Sequence, residues 1–228
     1  MMTLLRTILA WLMWLLWGKS TAKPIVPDPI KVQSTPDTTT HVVSDAIGTN
    51  ANIPRSYLTP AVVSLLTYIR QGESGRGGYN ADFGNNQTWD LVHATFDQVR
   101  AWSLSQVTSY HELSSAIGAY QFITPTLDSL KQSLKLTGRE IFDVAFQDDL
   151  AYALMVRRGI NSYYGGTLTA EGFCNNLAKE WASLPVVTTI QGAHRLVTPG
   201  QSYYAGDGIN KSGHSPSSFL QLVKDLKK

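Results

Sequence analysis

A single cysteine, Cys174, excludes an intrachain disulfide, and no His or Asn pattern around it suggests a nucleophile. It sits beside Phe173 and Leu177 in a helical pattern, the setting of a small core residue. Charge is also scarce. Charged residues make up 16% of the 228, and the formal net charge is +2. From Pro54 onward 15 Lys and Arg face 14 Asp and Glu, so a nucleic-acid partner is disfavoured. The five histidines, His41, His93, His111, His194 and His214, show no paired-ligand spacing, so neither a metal nor a cofactor is expected. Ser74 and Ser183 have no nucleophile-elbow context, and Gly75 to Gly78 lack the Lys-Ser/Thr ending of a phosphate loop. There are no internal repeats. What remains is a 43% hydrophobic chain with material for one sizeable core.

The chain falls into three parts. Residues 1–19 carry an uncharged run of 12 residues between Arg6 and Lys19, the length of the apolar region of a secretory signal. Trp11, Trp14 and Trp17 favour retention at a membrane, so an uncleaved signal-anchor is expected ahead of a cleaved peptide. Either form takes the chain out of the cytoplasm. Residues 20–53, with Pro24, Pro27, Pro29, Pro36 and Thr38 to Thr40, read as an extended linker. Residues 54–228 read as one folded domain.

Within that domain the periodicity predicts five or six helices and little strand. Thr59-Pro60 opens the first, and Val62, Leu65, Leu66 and Ile69 mark its apolar face. Thr95 with Gln98 resembles a capping box opening a short helix. Thr124-Pro125 repeats the cap-then-proline start. A strong helix spans about residues 143–157, ended by Arg157-Arg158-Gly159. Another spans about 169–184, and Pro216 opens the last. Residues 79–94 and 107–116 read as polar loops, the former with irregular strand character.

Two stretches carry the chemistry. Glu73 lies four residues after Ile69 and so prolongs an apolar face to the end of a helix. Desolvation and the negative helix terminus both favour the protonated carboxyl there, as a general acid requires. On spacing alone a surface glutamate at a frayed helix end is the more ordinary reading. The second stretch is Gly118-Ala119-Tyr120-Gln121. Its small residues leave a bare backbone edge, and Gln121 supplies donors and acceptors for sugar hydroxyl and N-acetyl groups. Tyr120 either packs on a sugar face or lies in the core. Tyr79 and Asn80 follow the glycines after Glu73 and are placed to line the same cleft, or simply to make a turn. Gln147-Asp148, near the start of the 143–157 helix, suits a cap or packing contact better than catalysis.

The segments GESGRGGYN, AIGAYQFITPTL, FQDDLA, EWASLP and GQSYYAGDGINK together resemble the lysozyme-like peptidoglycan-cleaving enzymes of phages and bacteria, in particular the lambda-endolysin type of lytic transglycosylase and related phage muramidases. The resemblance covers about residues 56–228. It implies a mainly α, α+β lysozyme-like domain with a small irregular β region beside a cleft. It also implies that Glu73 is the catalytic acid/base, with residues 116–121 across the cleft. The substrate implied is the glycan strand of peptidoglycan, cut between N-acetylmuramic acid and N-acetylglucosamine.

The second carboxylate stays open. Asp82 follows Glu73 by nine residues and Thr88 follows Asp82 by six, which matches the spacing in T-even phage lysozymes that hydrolyse with two acidic groups. A transglycosylase needs only Glu73. The reading favoured is a transglycosylase used in phage entry or host lysis, held at the host inner membrane facing the periplasm or associated with the virion. The alternatives are a muramidase using Glu73 and Asp82, and an inactive wall-binding or virion structural protein. The oligomeric state is not legible.

Overall fold

A computed structural model describes residues 55–85 and 88–228; the expected anchor and linker fall outside the described residues. Among those residues are seven α-helices: α1 (Pro60–Glu73), α2 (Phe96–Thr108), α3 (Thr124–Leu134), α4 (Val144–Arg157), α5 (Ile160–Tyr164), α6 (Ala170–Ala178) and α7 (Pro216–Asp225). A two-residue antiparallel hairpin, β1 (Ile190–Gln191) and β2 (Leu196–Val197), pairs Ile190 with Val197. No helix of the described residues is long and apolar enough to cross a membrane.

Capping chemistry sets most helix starts. Thr59 Oγ1 accepts from the Val62 N–H, with Pro60 at the first helical position. Thr95 and Gln98 close both halves of a capping box. The helix they open runs to Thr108, further than the apolar pattern suggests, because its outer residues are polar. Asp143 caps α4 by accepting from the Phe146 N–H at 2.7 Å.

Three readings need correction. The residue that caps α3 is Ile123, with no side-chain bond, while Thr124 is already helical; its N–H is satisfied by Ser115 Oγ from a distant loop. The helix expected over 169–184 stops at Ala178, and Trp181 and Leu184 are buried from a turn instead. The stop at Gly159 (φ 103°) is real, but the chain restarts at once as α5, too short to show a period.

The β character expected over 79–94 consists of single-turn 3₁₀ segments and isolated bridges, Asp82 with Ile117 and Ile117 with Phe122. The hairpin lies elsewhere, among residues 190–197.

One apolar core joins these elements. Helix α1 packs on α4 and α7, α6 packs on α7, and α2 packs on α3. Phe142, fully buried ahead of α4, meets Phe96, Phe122 and Phe146 edge-on at centroid distances of 6.0–6.5 Å. It also backs the Gly118 turn, where an added β-carbon would stand 2.9 Å from its ring. Phe142→Ala is therefore expected to cost about 3–5 kcal/mol of stability, read from denaturant unfolding.

Candidate functional site

The site begins with the apolar face of α1. Val62, Leu65, Leu66 and Ile69 are buried, and the next position on that face is Glu73. Burying the four apolar side chains carries the carboxyl inward with them. The helix then ends: the Ser74 N–H and Oγ both donate to the Arg70 carbonyl, and Gly75 (φ 52°) and Gly78 (φ 57°) turn the chain away.

Glu73 is half-buried as a residue, and protein surrounds its carboxyl. Burial pushes its pKa above the ordinary carboxylate range, opposed by its contacts with Ser183. The Ser183 N–H donates to Glu73 Oε1 at 3.1 Å across 110 residues of sequence. Ser183 is held there by the turn that follows α6, in which Trp181 and Leu184 enter the core on either side of it. Gly72 lets that turn come close, since a β-carbon at Gly72 would stand 2.5 Å from Ser183 Oγ and 2.2 Å from His214 Nε2.

A second cluster, built on Asp148 of α4, stands beside it. Asp148 Oδ1 accepts from the hydroxyls of Tyr120 (2.5 Å) and Tyr79 (2.9 Å) and from Arg70 Nη1 (3.3 Å). Arg70 Nη1 also donates to the Tyr120 hydroxyl at 2.9 Å, and the guanidinium lies 5.2 Å from the Tyr79 ring centroid. Burial first, and then the Asp148 charge, raise both tyrosine pKa values, so both phenols stay protonated donors. Next to it, the fully buried Gln147 accepts from the Ala119 N–H at 2.8 Å and donates to the carbonyls of Tyr79 and Phe142, each at 3.0 Å. One helical turn of α4 thus fastens the end of α1, the 79–80 turn and the 118–120 turn together.

This arrangement alters the picture of the opposite wall. Gly118 is buried, and the room its missing side chain leaves is taken by Phe142 and Gln147, not by an open backbone edge. Tyr120 is 1% exposed and belongs to the core. Gln121 (φ 49°) is half-buried and folds back, its Nε2 donating to the Gly118 carbonyl at 3.0 Å. Tyr79 is half-buried with its hydroxyl committed to Asp148. Asn80 is exposed, and its Oδ1 accepts from the Val92 N–H at 3.1 Å. Asp82 is 5% exposed and pairs with Ile117, while the Gly118 N–H donates to the carbonyl of neighbouring Ala81.

Sequence reasoning passed over Arg70, Ser183 and His214 as site residues. The EWASLP segment was a visible signal for Ser183; its use as a donor to Glu73 was not. Among the described residues no group of three His, Cys, Asp or Glu is placed to hold a metal ion.

No curated protein matches the chain. A family model described as Endolysin matches residues 63–209, a span that holds Glu73, the Gly118–Gln121 turn, Asp148 and Ser183. The chain belongs to the Endolysin family, and it is accordingly a peptidoglycan-degrading enzyme of the phage type.

Proposed function

We propose that this enzyme is a lytic transglycosylase that cuts the β-1,4 bond between N-acetylmuramic acid and N-acetylglucosamine, with Glu73 as acid and then base. The observation that carries the reading is the Glu73 carboxyl itself: at the end of a helix on a half-buried residue, held by one backbone N–H, and favoured in its protonated form by burial.

In the first half-reaction the protonated Glu73 gives its proton to the glycosidic oxygen as the bond from that oxygen to the muramic acid C1 breaks, leaving an oxocarbenium-like sugar. In the second, the Glu73 carboxylate takes the proton of the muramic acid 6-hydroxyl as that oxygen bonds to C1, giving a 1,6-anhydro ring. Glu73 ends protonated, ready for another cycle. Asn80 and Gln121, the two polar residues of the 79–80 and 118–121 turns that keep some exposure, are the groups assigned to the glycan.

Hydrolysis using Glu73 and Asp82 is the second reading, favoured by their nine-residue spacing. The 5% exposure of Asp82 counts against it, because activating a water needs a carboxylate that water can reach. Export completes the proposal: residues 1–18 hold the enzyme at the host inner membrane facing the periplasm, or the enzyme travels with the virion, for host lysis or entry.

Glu73→Gln is expected to reduce clearing of purified peptidoglycan by roughly 10²–10⁴-fold. Undiminished clearing would remove Glu73 from the chemistry, and absence of clearing by the wild type would leave a wall-binding or virion structural role as the remaining account. The same variant should unfold at an equal or higher temperature than wild type at pH 8. A raised folded-state pKa means that stability is lost as pH rises above the unfolded value, and glutamine removes that loss.

Mass spectrometry of the digested glycan should show ends one water lighter than reducing ends; reducing ends alone would assign a hydrolase. Asp82→Asn should keep clearing activity as long as its melting temperature is unchanged. A loss of about 10²-fold in a folded Asp82→Asn protein would place Asp82 in the chemistry.

A further inference from the structure

Three aromatic rings meet near the surface beyond the 79–80 turn. The Trp89 and Trp102 rings stack almost parallel, with centroids 5.6 Å apart and planes 9° apart, and Tyr110 meets Trp89 edge-on at 5.9 Å. Both indoles pack on the core yet stay only half-buried, and Tyr110 is 50% exposed. Aromatic area is costly to leave in water, and a cluster of it at a surface points to a ligand that covers it.

Short, rigid links join these rings to the candidate site. Trp89 leads into the single 3₁₀ turn Leu91–His93, where Leu91 is fully buried and the Val92 N–H donates to Asn80 Oδ1. Trp102 lies one turn before Gln106 on α2. Gln106 is fully buried; its side chain accepts from the Phe83 N–H at 2.9 Å and donates to the Ala116 carbonyl at 3.0 Å. Its backbone carbonyl accepts from the Glu112 N–H, which holds the loop that carries Tyr110. Residues 81–83 are bonded in turn to residues 116–118, since the Phe83 N–H also donates to the Ala116 carbonyl and the Gly118 N–H to that of Ala81. The rings therefore stand on the same support as Asn80 and Gln121, the groups assigned to the glycan.

Charge selects the occupant. No lysine or arginine occurs among residues 77–99 or 101–130, so the patch lacks the cations with which a protein meets an anionic membrane. Asp90, next to Trp89, is engaged by His93 at 2.8 Å, and Thr88, Thr108 and Ser109 flank the rings without charge. A pyranose ring with equatorial substituents offers C–H groups on its faces. Their slightly positive hydrogens match the negative face of an aromatic ring, while the hydroxyls at the sugar's edge stay free for polar neighbours.

We propose that Trp89 and Tyr110, with Trp102 behind them, form a stacking platform for pyranose rings of the glycan strand, a subsite that continues the site beyond Asn80. Trp89 and Tyr110 meet the sugar, and Trp102 is a positioning residue that fixes the Trp89 ring. The platform holds substrate and transition state alike, so it governs binding and leaves the bond-breaking step to Glu73.

The platform rests on the glycan strand being the substrate, and binding by the full chain carrying Glu73→Gln separates the two claims. That protein is titrated by calorimetry with soluble peptidoglycan glycan strands freed of their peptides. Adding Tyr110→Ala or Trp89→Ala is expected to weaken binding about tenfold, and Trp89→Phe should recover most of it. With Glu73 intact, the same alanine substitutions should raise KM for those strands about tenfold and leave kcat within about twofold. Tyr110 is exposed enough to be removed without opening the core, so its variant carries the test if Trp89→Ala melts early.

Binding and KM that match wild type in Tyr110→Ala overturn the platform, as does a fall in kcat with KM unchanged. Self-association of the chain that Tyr110→Ala abolishes would give the patch to a second copy and overturn it as well. Strands that fail to bind with all three rings present overturn the glycan reading on which the platform rests.

Discussion

A carboxyl that finishes an apolar helix face must leave water when the face does. Packing α1 buries Val62, Leu65, Leu66 and Ile69, and Glu73 follows them inward at the next helical position. The hydrophobic gain of four side chains outweighs the cost of desolvating one carboxyl, each of them contributing about 1.5–3 kcal/mol. That imbalance lets the fold hold an acid with a raised pKa where a freely exposed glutamate would be ionised at neutral pH. The contacts from Ser183 keep the carboxyl polar enough to ionise when its proton is transferred.

The Asp148 cluster plays a different part. It fixes geometry without presenting an open charge, because its single carboxylate oxygen draws Arg70, Tyr79 and Tyr120 together. Gln147, on the same turn of α4, ties down the backbone at Ala119, Tyr79 and Phe142. Removing one partner from such a network strands the others, so its worth exceeds that of any single bond. The rigidity of the ground around Glu73 comes from α4, whose side chains do not themselves have to touch a substrate.

Local signals were the legible ones. The cap and proline of α1, the Thr95–Gln98 box, the Asp143 start of α4 and the position of Glu73 all depend on residues within a turn of one another. The misreadings share a cause as well. Thr124 looked like a cap because its neighbours matched the pattern, but a serine nine residues back satisfies its N–H. Gly118 and Tyr120 looked like a cleft edge, since small and aromatic residues serve a cleft wall and a packed core equally well. Ser183 and His214 reach Glu73 and Gly72 from more than a hundred residues away, and no spacing rule spans that distance. Pairings of that range are set by how the helices pack, which the apolar pattern only loosely constrains.

The Ser183–Glu73 hydrogen bond joins the first helix of the described domain to the turn after the sixth, and the strap of residues 212–215, with His214, arrives later still. During synthesis α1 emerges first, with its glutamate in an ordinary aqueous setting. The buried setting that raises the pKa exists only after the later helices have packed, and the strap reaches Gly72 only after residue 214 has followed. The acid is thus a property of the finished chain: a ribosome halfway through the message has made the glutamate but not yet the tool.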